Sequence, residues 1–174
     1  WSVAARALHW IGAALVLFLL AYGWWMTHLA ARAVRLDHYH LHSIVGYYFV
    51  LLVVVRLGWR AFDPAPALPA ASTPIERAAA RAGHIGLYVL MIGVGVSGYV
   101  LHSAFPRRMA VDLFGAIRIP YLFAEPDRAI SSLAEGIHKW LSYVLLALVV
   151  VHVAAALNHH FIKRNDVLRR MTAG

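Results

Sequence analysis

Four stretches of about 20 mostly apolar residues constrain the fold of this chain more than any other feature of its sequence. They cover about residues 8–27, 41–60, 82–101 and 137–160. A helix needs roughly 20 such residues to cross the hydrocarbon core of a bilayer. The composition agrees, because 61% of the 174 residues are hydrophobic and only 14% are charged, unlike a soluble domain. The sequence therefore predicts an all-α integral membrane protein, a single transmembrane domain over residues 1–174 that folds as a four-helix bundle.

The second stretch is the least regular, because Arg56 interrupts its apolar residues. An arginine at that depth either extends its side chain toward the headgroups or meets a buried anion. We keep the segment as a span. Four spans place both termini on the same side of the membrane.

The connections between the spans hold no recognisable soluble domain. Residues 61–79 contain four prolines and are expected to form an extended linker. The connection over residues 102–136 is longer and less polar, and its three prolines interrupt any long helix. Asp127, which follows the last of them, is a suitable N-cap for a helix that continues into the fourth span. The sequence begins at Trp1 without a methionine, so we expect further residues to precede it in the natural protein.

The lysines and arginines indicate the orientation of the bundle. Nine lie at the side of the termini: Arg6, Arg56, Arg60, Arg77, Arg81, Lys163, Arg164, Arg169 and Arg170. Seven lie at the opposite side: Arg32, Arg35, Arg107, Arg108, Arg118, Arg128 and Lys139. Because cytoplasmic loops carry the excess of basic residues, both termini are predicted to be cytoplasmic.

Composition also excludes several kinds of site. The chain has no cysteine, which rules out disulfides, iron–sulfur clusters, thiolate zinc sites and covalently attached haem. Its formal charge of +8 could suggest nucleic acid as a partner. The basic residues stand between apolar spans, however, so membrane lipid headgroups are the expected partner and nucleic acid is not.

Two histidines of the fourth span, His138 and His152, lie fourteen residues apart. Fourteen residues turn a helix by about 1400°, which is about 40° short of four turns, and rise about 21 Å. Both side chains therefore share one face at different membrane depths. Ligands placed in this way can serve two haem irons, each completed by an imidazole from a facing helix.

The antiparallel order of the spans supplies those partners. His9 lies at the inner end of the first span, and His42 lies at the outer end of the second. Matching depths gives the pairs His9 with His152 and His42 with His138. His84, at the inner end of the third span, is an alternative to His9, or it lies beside the inner haem or a quinone pocket. We expect the other histidines to be interfacial or hydrogen-bonded: His28, His38, His40 and His102.

Glycines within the spans are compatible with a flat macrocycle wedged between helices. They are Gly12, Gly46, Gly86, Gly93, Gly95 and Gly98. Taken alone, they are explained better as small residues that let membrane helices approach closely.

The segments ALHW, HLHSIVG, VVVRLGWR, GHIGLYVL and VHVAAALNHHF, in this order on four spans, resemble the bacterial cytochrome b-561 family. The likeness covers essentially the whole chain. It implies a protein of the bacterial inner membrane with two non-covalent haem b groups, whose axial ligands are His9, His42, His138 and His152. It also implies a ubiquinone site near the inner haem. The residues placed to line that site or to bind haem propionates are Arg6, Arg56, His84, His159 and His160, each of which has the alternative role of a basic anchor at the headgroups.

The best-understood activity of this family is superoxide oxidase, which implies a superoxide:ubiquinone oxidoreductase. Superoxide would give an electron at the outer haem, the inner haem would receive it, and a quinone would be reduced after two such transfers. No catalytic residue is assigned. The cations that could steer superoxide toward the outer haem, or simply anchor phosphates, are Arg32, Arg35, Arg107, Arg108, Arg118 and Lys139.

A different class of function is a membrane anchor subunit that relays electrons between quinone and a hydrogenase or formate dehydrogenase partner. An apolar docking face on the outer loops would favour it, and the segment AVDLFGAIRIPYLFAE is sufficiently apolar. The same segment could instead lie over the outer haem. A structural membrane protein without haem would leave the four matched histidines unexplained.

Overall fold

The computed structural model describes residues 1–28, 30–31, 34–64, 66, 69 and 73–172. Within them, four helices are long and apolar enough to cross a membrane. These are α1 (Val3–His28), α2 (Arg35–Phe62), α3 (Pro74–Ala104) and α4 (Arg128–Leu157). The predicted all-α membrane bundle is confirmed.

Each helix begins several residues before the apolar stretch that predicted it, because hydropathy marks the hydrocarbon crossing and not the ends of the backbone hydrogen-bonding pattern. The largest correction concerns the linker, since α3 begins at Pro74 and residues 74–79 are helical. Thr73 caps this helix: its hydroxyl accepts from the backbone nitrogen of Glu76, and the Glu76 carboxylate accepts from the Thr73 nitrogen. Proline is well suited to the first helical position, which needs no amide hydrogen.

The start of α4 agrees with the prediction from Asp127. Its Oδ1 accepts from the backbone nitrogens of Ala129 at 2.8 Å and Ile130 at 3.0 Å. From this cap α4 runs for 30 residues and continues directly into a π-helical turn, Asn158–Ile162. A short helix, α5 (Arg169–Thr172), follows.

All four long helices contribute to the bundle core, and partly buried residues of α3 such as Leu90 and Met91 pack against its buried cluster. That cluster comprises Val16 of α1, Phe49 and Val53 of α2, and Leu145 of α4. At Gly95, α3 and α2 approach so closely that a Cβ atom would collide with the side chain of Val50. The helix-packing explanation therefore holds for this glycine.

The connection between α3 and α4 is folded and lies at the end of the bundle opposite the termini, which is the predicted outer end. It includes a small antiparallel hairpin of β1 (Asp112–Leu113) and β2 (Ile117–Arg118), the one departure from an all-helical chain among the described residues. Its turn uses positive φ angles at Phe114 (54°) and Gly115 (68°). The Phe114 nitrogen donates to the hydroxyl of Tyr48 on α2 at 2.8 Å.

Candidate haem-binding sites

The outer histidine pair joins α2 to α4. The ring centres of His42 and His138 lie 6.2 Å apart, and the ring planes are inclined at 84°. His138 Nδ1 lies 3.0 Å from the carbonyl oxygen of Val94 and 3.2 Å from the hydroxyl oxygen of Ser97. Because a carbonyl oxygen can only accept, the Nδ1 atom carries the hydrogen. The Nε2 lone pair is then available to a metal, as is usual for a histidine ligand held by a carbonyl.

Small residues surround this pair. A Cβ atom on Gly98 would lie 3.1 Å from Cε1 of His138, and one on Gly23 would lie 3.2 Å from Cε1 of His42. A Cβ atom on Gly46, one turn after His42, would meet nothing within 4 Å. An alanine at position 23 or 98 would therefore restrict the imidazole beside it. Beside Gly46, in contrast, there is room for a bulky group.

His42 is oriented by packing. Its Nδ1 is buried and has no hydrogen-bond partner among the described residues. The ring of Tyr22 on α1 lies nearly parallel to it, at 10° and 6.5 Å between centres. The hydroxyl of Tyr22 contacts Nδ1 of His38 at 2.6 Å, so this tyrosine is itself fixed.

The inner cluster contains three histidines rather than two. The ring of His152 on α4 lies 6.2 Å from that of His9 on α1 and 5.7 Å from that of His84 on α3. His9 and His152 are half-buried, whereas His84 is exposed on the surface of the bundle. The geometry thus places both possible partners beside His152, and His84 is the more exposed of the two.

The spacing of the two pairs suits a single metal ion between the rings. Metal–imidazole bonds of about 2 Å, with roughly 1 Å more from each nitrogen to its ring centre, separate two axial rings by about 6 Å. Both pairs, His42 with His138 and His9 with His152, have 6.2 Å between ring centres. With the Nδ1 hydrogen bond of His138, this arrangement fits bis-histidine binding of haem iron.

Arg56 stands beside the inner cluster within the membrane span. Its Nε donates to the hydroxyl of Tyr88 at 3.0 Å, and its Nη1 donates to the carbonyl oxygen of Ala5 at 3.1 Å. Among the described residues, no carboxylate lies within salt-bridge distance of it. Polar partners therefore hold this cation, while its charge remains available to an anionic or carbonyl oxygen of a ligand.

Three residues predicted to contact a quinone or haem propionates remain: Arg6, His159 and His160. Arg6 is half-buried on the first turns of α1. His159 lies seven residues beyond His152, about 10 Å further along the axis, and its Nδ1 contacts the Asn165 side chain at 2.8 Å. His160 lines a separate pocket at the end of the chain. In the described part of the molecule, neither is in ring contact with the inner histidines.

The histidines expected at the interface are mostly hydrogen-bonded, as predicted. His28 Nδ1 contacts the Trp24 carbonyl oxygen at 2.8 Å. His102 bridges the Tyr47 hydroxyl at 2.8 Å and the Met109 carbonyl oxygen at 2.9 Å. His40 differs, since its Nδ1 is buried without a partner among the described residues.

The cations that could steer superoxide toward the outer site differ in their partners. Arg108 donates to three carbonyl oxygens, those of Ser103, Phe123 and Ala124, and so organises the outer loop. Arg118 is paired with Asp112. Arg32 lies outside the described residues.

The sequence analysis missed Gly23 and Tyr88. Tyr88 follows His84 by four residues, and this spacing places both on one face of α3. No residue spacing in the sequence indicates Gly23, because its role depends on how closely α2 approaches α1.

Comparison with known proteins identifies the family of the chain. The family model described as prokaryotic cytochrome b561 matches residues 1–174. Cytochrome b561 homolog 2 of Escherichia coli strain K12 is 35% identical over 175 residues, which cover 98% of this chain and 90% of the relative. The probable superoxide oxidase CybB of Yersinia pestis is 24% identical over 174 residues, 98% of this chain and 94% of the relative. Cytochrome b561 homolog 1 of Escherichia coli strain K12 is 26% identical over 172 residues, 94% of this chain and 92% of the relative. The chain therefore belongs to the prokaryotic cytochrome b561 family of multi-pass membrane electron-transfer proteins, which bind b-type haem.

Proposed function

We propose that the protein binds two haem b groups, oxidises superoxide at the outer face and reduces ubiquinone near the inner histidine cluster. The observation that carries this proposal is the presence of two histidine pairs, each with 6.2 Å between ring centres, at two depths along α4. Two superoxide ions would supply two electrons and be released as oxygen, and the quinone would take up those electrons with two protons.

The outer pair fits the first half-reaction. When bound by His42 and His138, haem supplies reversible one-electron transfer. His42 and His138 would hold this haem from two helices, and the haem would supply electron transfer without a bond between superoxide and the metal. The Val94 carbonyl accepts from Nδ1 of His138 and so orients its imidazole, and Gly98 leaves room for the ring.

Quinone reduction is assigned to the opposite end of the bundle. His84 is exposed there beside His152. On the same face of α3, the Tyr88 hydroxyl accepts a hydrogen bond from Arg56. A quinone carbonyl approaching from the lipid would meet a cation that can orient it and an imidazole that can deliver a proton. We therefore propose that His9 and His152 hold the inner haem and that His84 and Arg56 contact the quinone. Arg6, His159 and His160 are less well placed for this role.

Charge supports the choice of an anionic substrate at the outer face. Arg107 and Lys139 are exposed near the outer connection, and fixed positive charge raises the local concentration of a small anion. The name of the Yersinia pestis relative supports superoxide as that anion. The excess of basic residues at the termini supports an inner-membrane orientation with both termini cytoplasmic.

The second candidate function is an anchor subunit for a hydrogenase or formate dehydrogenase partner. It is favoured by the hairpin, where the side chains of Phe114 and Ile117 are 67% and 58% exposed. Exposed apolar groups at a loop tip are a common feature of docking surfaces.

An anaerobic reconstitution distinguishes the two functions. The purified protein is placed in vesicles with a ubiquinone, potassium superoxide is added, and reduced b-haem absorbance is followed together with quinol formation. Superoxide oxidase activity requires haem reduction and quinol formation faster than spontaneous dismutation. A normal b-type spectrum that superoxide leaves unchanged would transfer the assignment to the anchor subunit.

A further inference from the structure

The chain beyond α4 folds back against the inner end of the bundle. Lys163 pairs with Glu76 at the start of α3, and the indole nitrogen of Trp10 on α1 donates to the carbonyl oxygen of Met171 at 2.8 Å. Between these two tethers, Arg164 adopts a positive φ of 50°, and the Asn165 nitrogen donates to the His159 carbonyl oxygen at 3.0 Å, which closes a turn. The segment is thus held to two helices and shaped into a concave surface.

That surface is a pocket of about 470 Å³. Its lining residues are His160, Arg164, Asn165, Asp166 and Arg169. The Asp166 carboxylate accepts from Nε of Arg170 at 2.8 Å and is thereby neutralised. The positive charges of Arg164 and Arg169 remain in excess, and a histidine lies beside them.

Apolar side chains border the charged pocket. Phe161 and Ile162, on the π-helical turn next to His160, are 67% and 78% exposed. At the end of a membrane-spanning helix such side chains contact acyl chains, whereas arginines a few residues later reach the headgroup layer. A ligand that contacts both the charged pocket and its apolar border carries a phosphate and hydrocarbon chains.

We propose that this pocket binds the phosphate of an anionic phospholipid, with Arg164 and Arg169 contacting the phosphate and Phe161 and Ile162 contacting the acyl chains. Guanidinium groups bind phosphate oxygens in a fixed fork geometry, which favours arginine over lysine at such a site. The assignment does not depend on the reaction that the haem groups perform.

The test uses the purified full-length haem protein and native mass spectrometry with added phosphatidylglycerol or phosphatidylcholine. The test variant is Arg164→Gln with Arg169→Gln. The matched control is Arg81→Gln, which removes a cation from the same end of the molecule but outside the pocket. Haem absorbance of each variant verifies folding.

We expect one saturable phosphatidylglycerol site that phosphatidylcholine does not occupy. Its affinity should fall roughly thirtyfold in the double variant, from the loss of two cations near the surface, and remain unchanged in the control. Equal retention of phosphatidylglycerol by the wild type and the double variant would overturn the site.

Inorganic phosphate distinguishes the two sources of the anion. If the pocket binds lipid, millimolar inorganic phosphate should leave bound phosphatidylglycerol in place, because inorganic phosphate has no acyl chains to contact Phe161 and Ile162. Displacement of the lipid by phosphate at that concentration would assign the pocket to the free anion and overturn the lipid assignment.

Discussion

The imidazole of His138 is fixed on both sides: its Nδ1 lies 3.0 Å from the Val94 carbonyl oxygen, and its ring centre lies 6.2 Å from that of His42. His152, fourteen residues later, has the partners His9 and His84 instead. The two pairs therefore have separate supporting contacts. If each pair holds a haem, as we propose, this separation should make the two haem groups independently removable.

We expect His138→Ala and His152→Ala each to remove one of two haem groups and leave the other. Each substitution deletes an imidazole at one depth, while the pair about 21 Å away along α4 is untouched. Haem per protein, measured by extraction and absorbance, should fall to about half in either variant. Loss of both groups from a helical, monodisperse variant would contradict the assignment of separate pairs.

Gly98→Ala and Gly23→Ala should perturb the outer site alone. The added Cβ atom would lie 3.1 Å from Cε1 of His138 in the first variant, and 3.2 Å from Cε1 of His42 in the second. Either imidazole must then move, and such overpacking costs about 1–3 kcal/mol, or roughly a tenfold to hundredfold loss of haem affinity. Redox titration followed at the haem absorbance should show one changed and one unchanged midpoint.

Gly136→Ala is the matched control for these variants. It lies on α4, and a Cβ atom there would meet nothing within 4 Å. Alanine is a better helix former than glycine, so this variant should be slightly more stable with both haem midpoints unchanged. An equal effect of Gly136→Ala on the outer midpoint would show that steric contact with the histidines is not the cause.

Tyr88→Phe should destabilise the protein, because it removes the hydroxyl that accepts from Nε of Arg56. A hydrogen bond to a charged group contributes about 1.5–3 kcal/mol, and the guanidinium would be left with one fewer partner inside the bundle. Thermal unfolding in detergent, followed by circular dichroism, should show a lower midpoint. Tyr143→Phe is the control, since no hydrogen bond of the Tyr143 hydroxyl is found in the described chain. Equal midpoints for the two variants would contradict the Arg56 interaction.

The contact between the N-terminus and the end of α2 should depend on pH. The Asp63 carboxylate accepts from the Ser2 hydroxyl at 2.5 Å and from the Trp59 indole nitrogen at 3.2 Å. The hydrogen bond from Ser2 is the main cause that lowers the pKa of Asp63 below its ordinary value. A lowered pKa means that folding favours the carboxylate. The stabilisation is therefore complete above the ordinary aspartate pKa of about 3.9 and is lost as pH falls through the lower folded value.

Asp63→Asn should remove this dependence. Limited proteolysis of the N-terminal residues should be faster for the variant than for the wild type at pH 7. At a pH below the folded pKa, the two proteins should be cleaved at the same rate. An unfolded reference peptide corrects for the pH dependence of the protease. If the corrected cleavage rate of the wild type is the same at both pH values, the carboxylate does not hold the N-terminus.

The span positions and the shared face of His138 and His152 could be predicted from sequence because both follow from local geometry. Hydropathy reports the bilayer crossing, and helical periodicity places residues that belong to one continuous helix. The ends of the helices were harder to predict. Pro74 was interpreted as part of a linker, although Thr73 and Glu76 form a capping box around it, a signal present in the sequence.

Contacts between helices could not be predicted in the same way. The Val94 carbonyl that holds His138, the Tyr22 ring beside His42 and the closeness of Gly23 to that histidine depend on the rotation of each helix about its axis. An apolar span surrounded by lipid has no polar face to set that rotation. The same ambiguity explains why His9 and His84 both remained plausible partners of His152, since depth alone does not separate them.

Substitution of His9 and His84 should separate their roles at the inner cluster. If His9 is the haem ligand, as we propose, His9→Ala loses the inner haem, whereas His84→Ala retains both groups. His84→Ala should still be reduced by superoxide at the outer site, but quinol formation should fall roughly a hundredfold because a positioned proton donor is lost. Haem content and quinol formation in vesicles measure the two effects separately. Retention of the inner haem by His9→Ala together with its loss from His84→Ala would reverse the roles, and the exposed position of His84 would then place the inner haem at the lipid-facing surface.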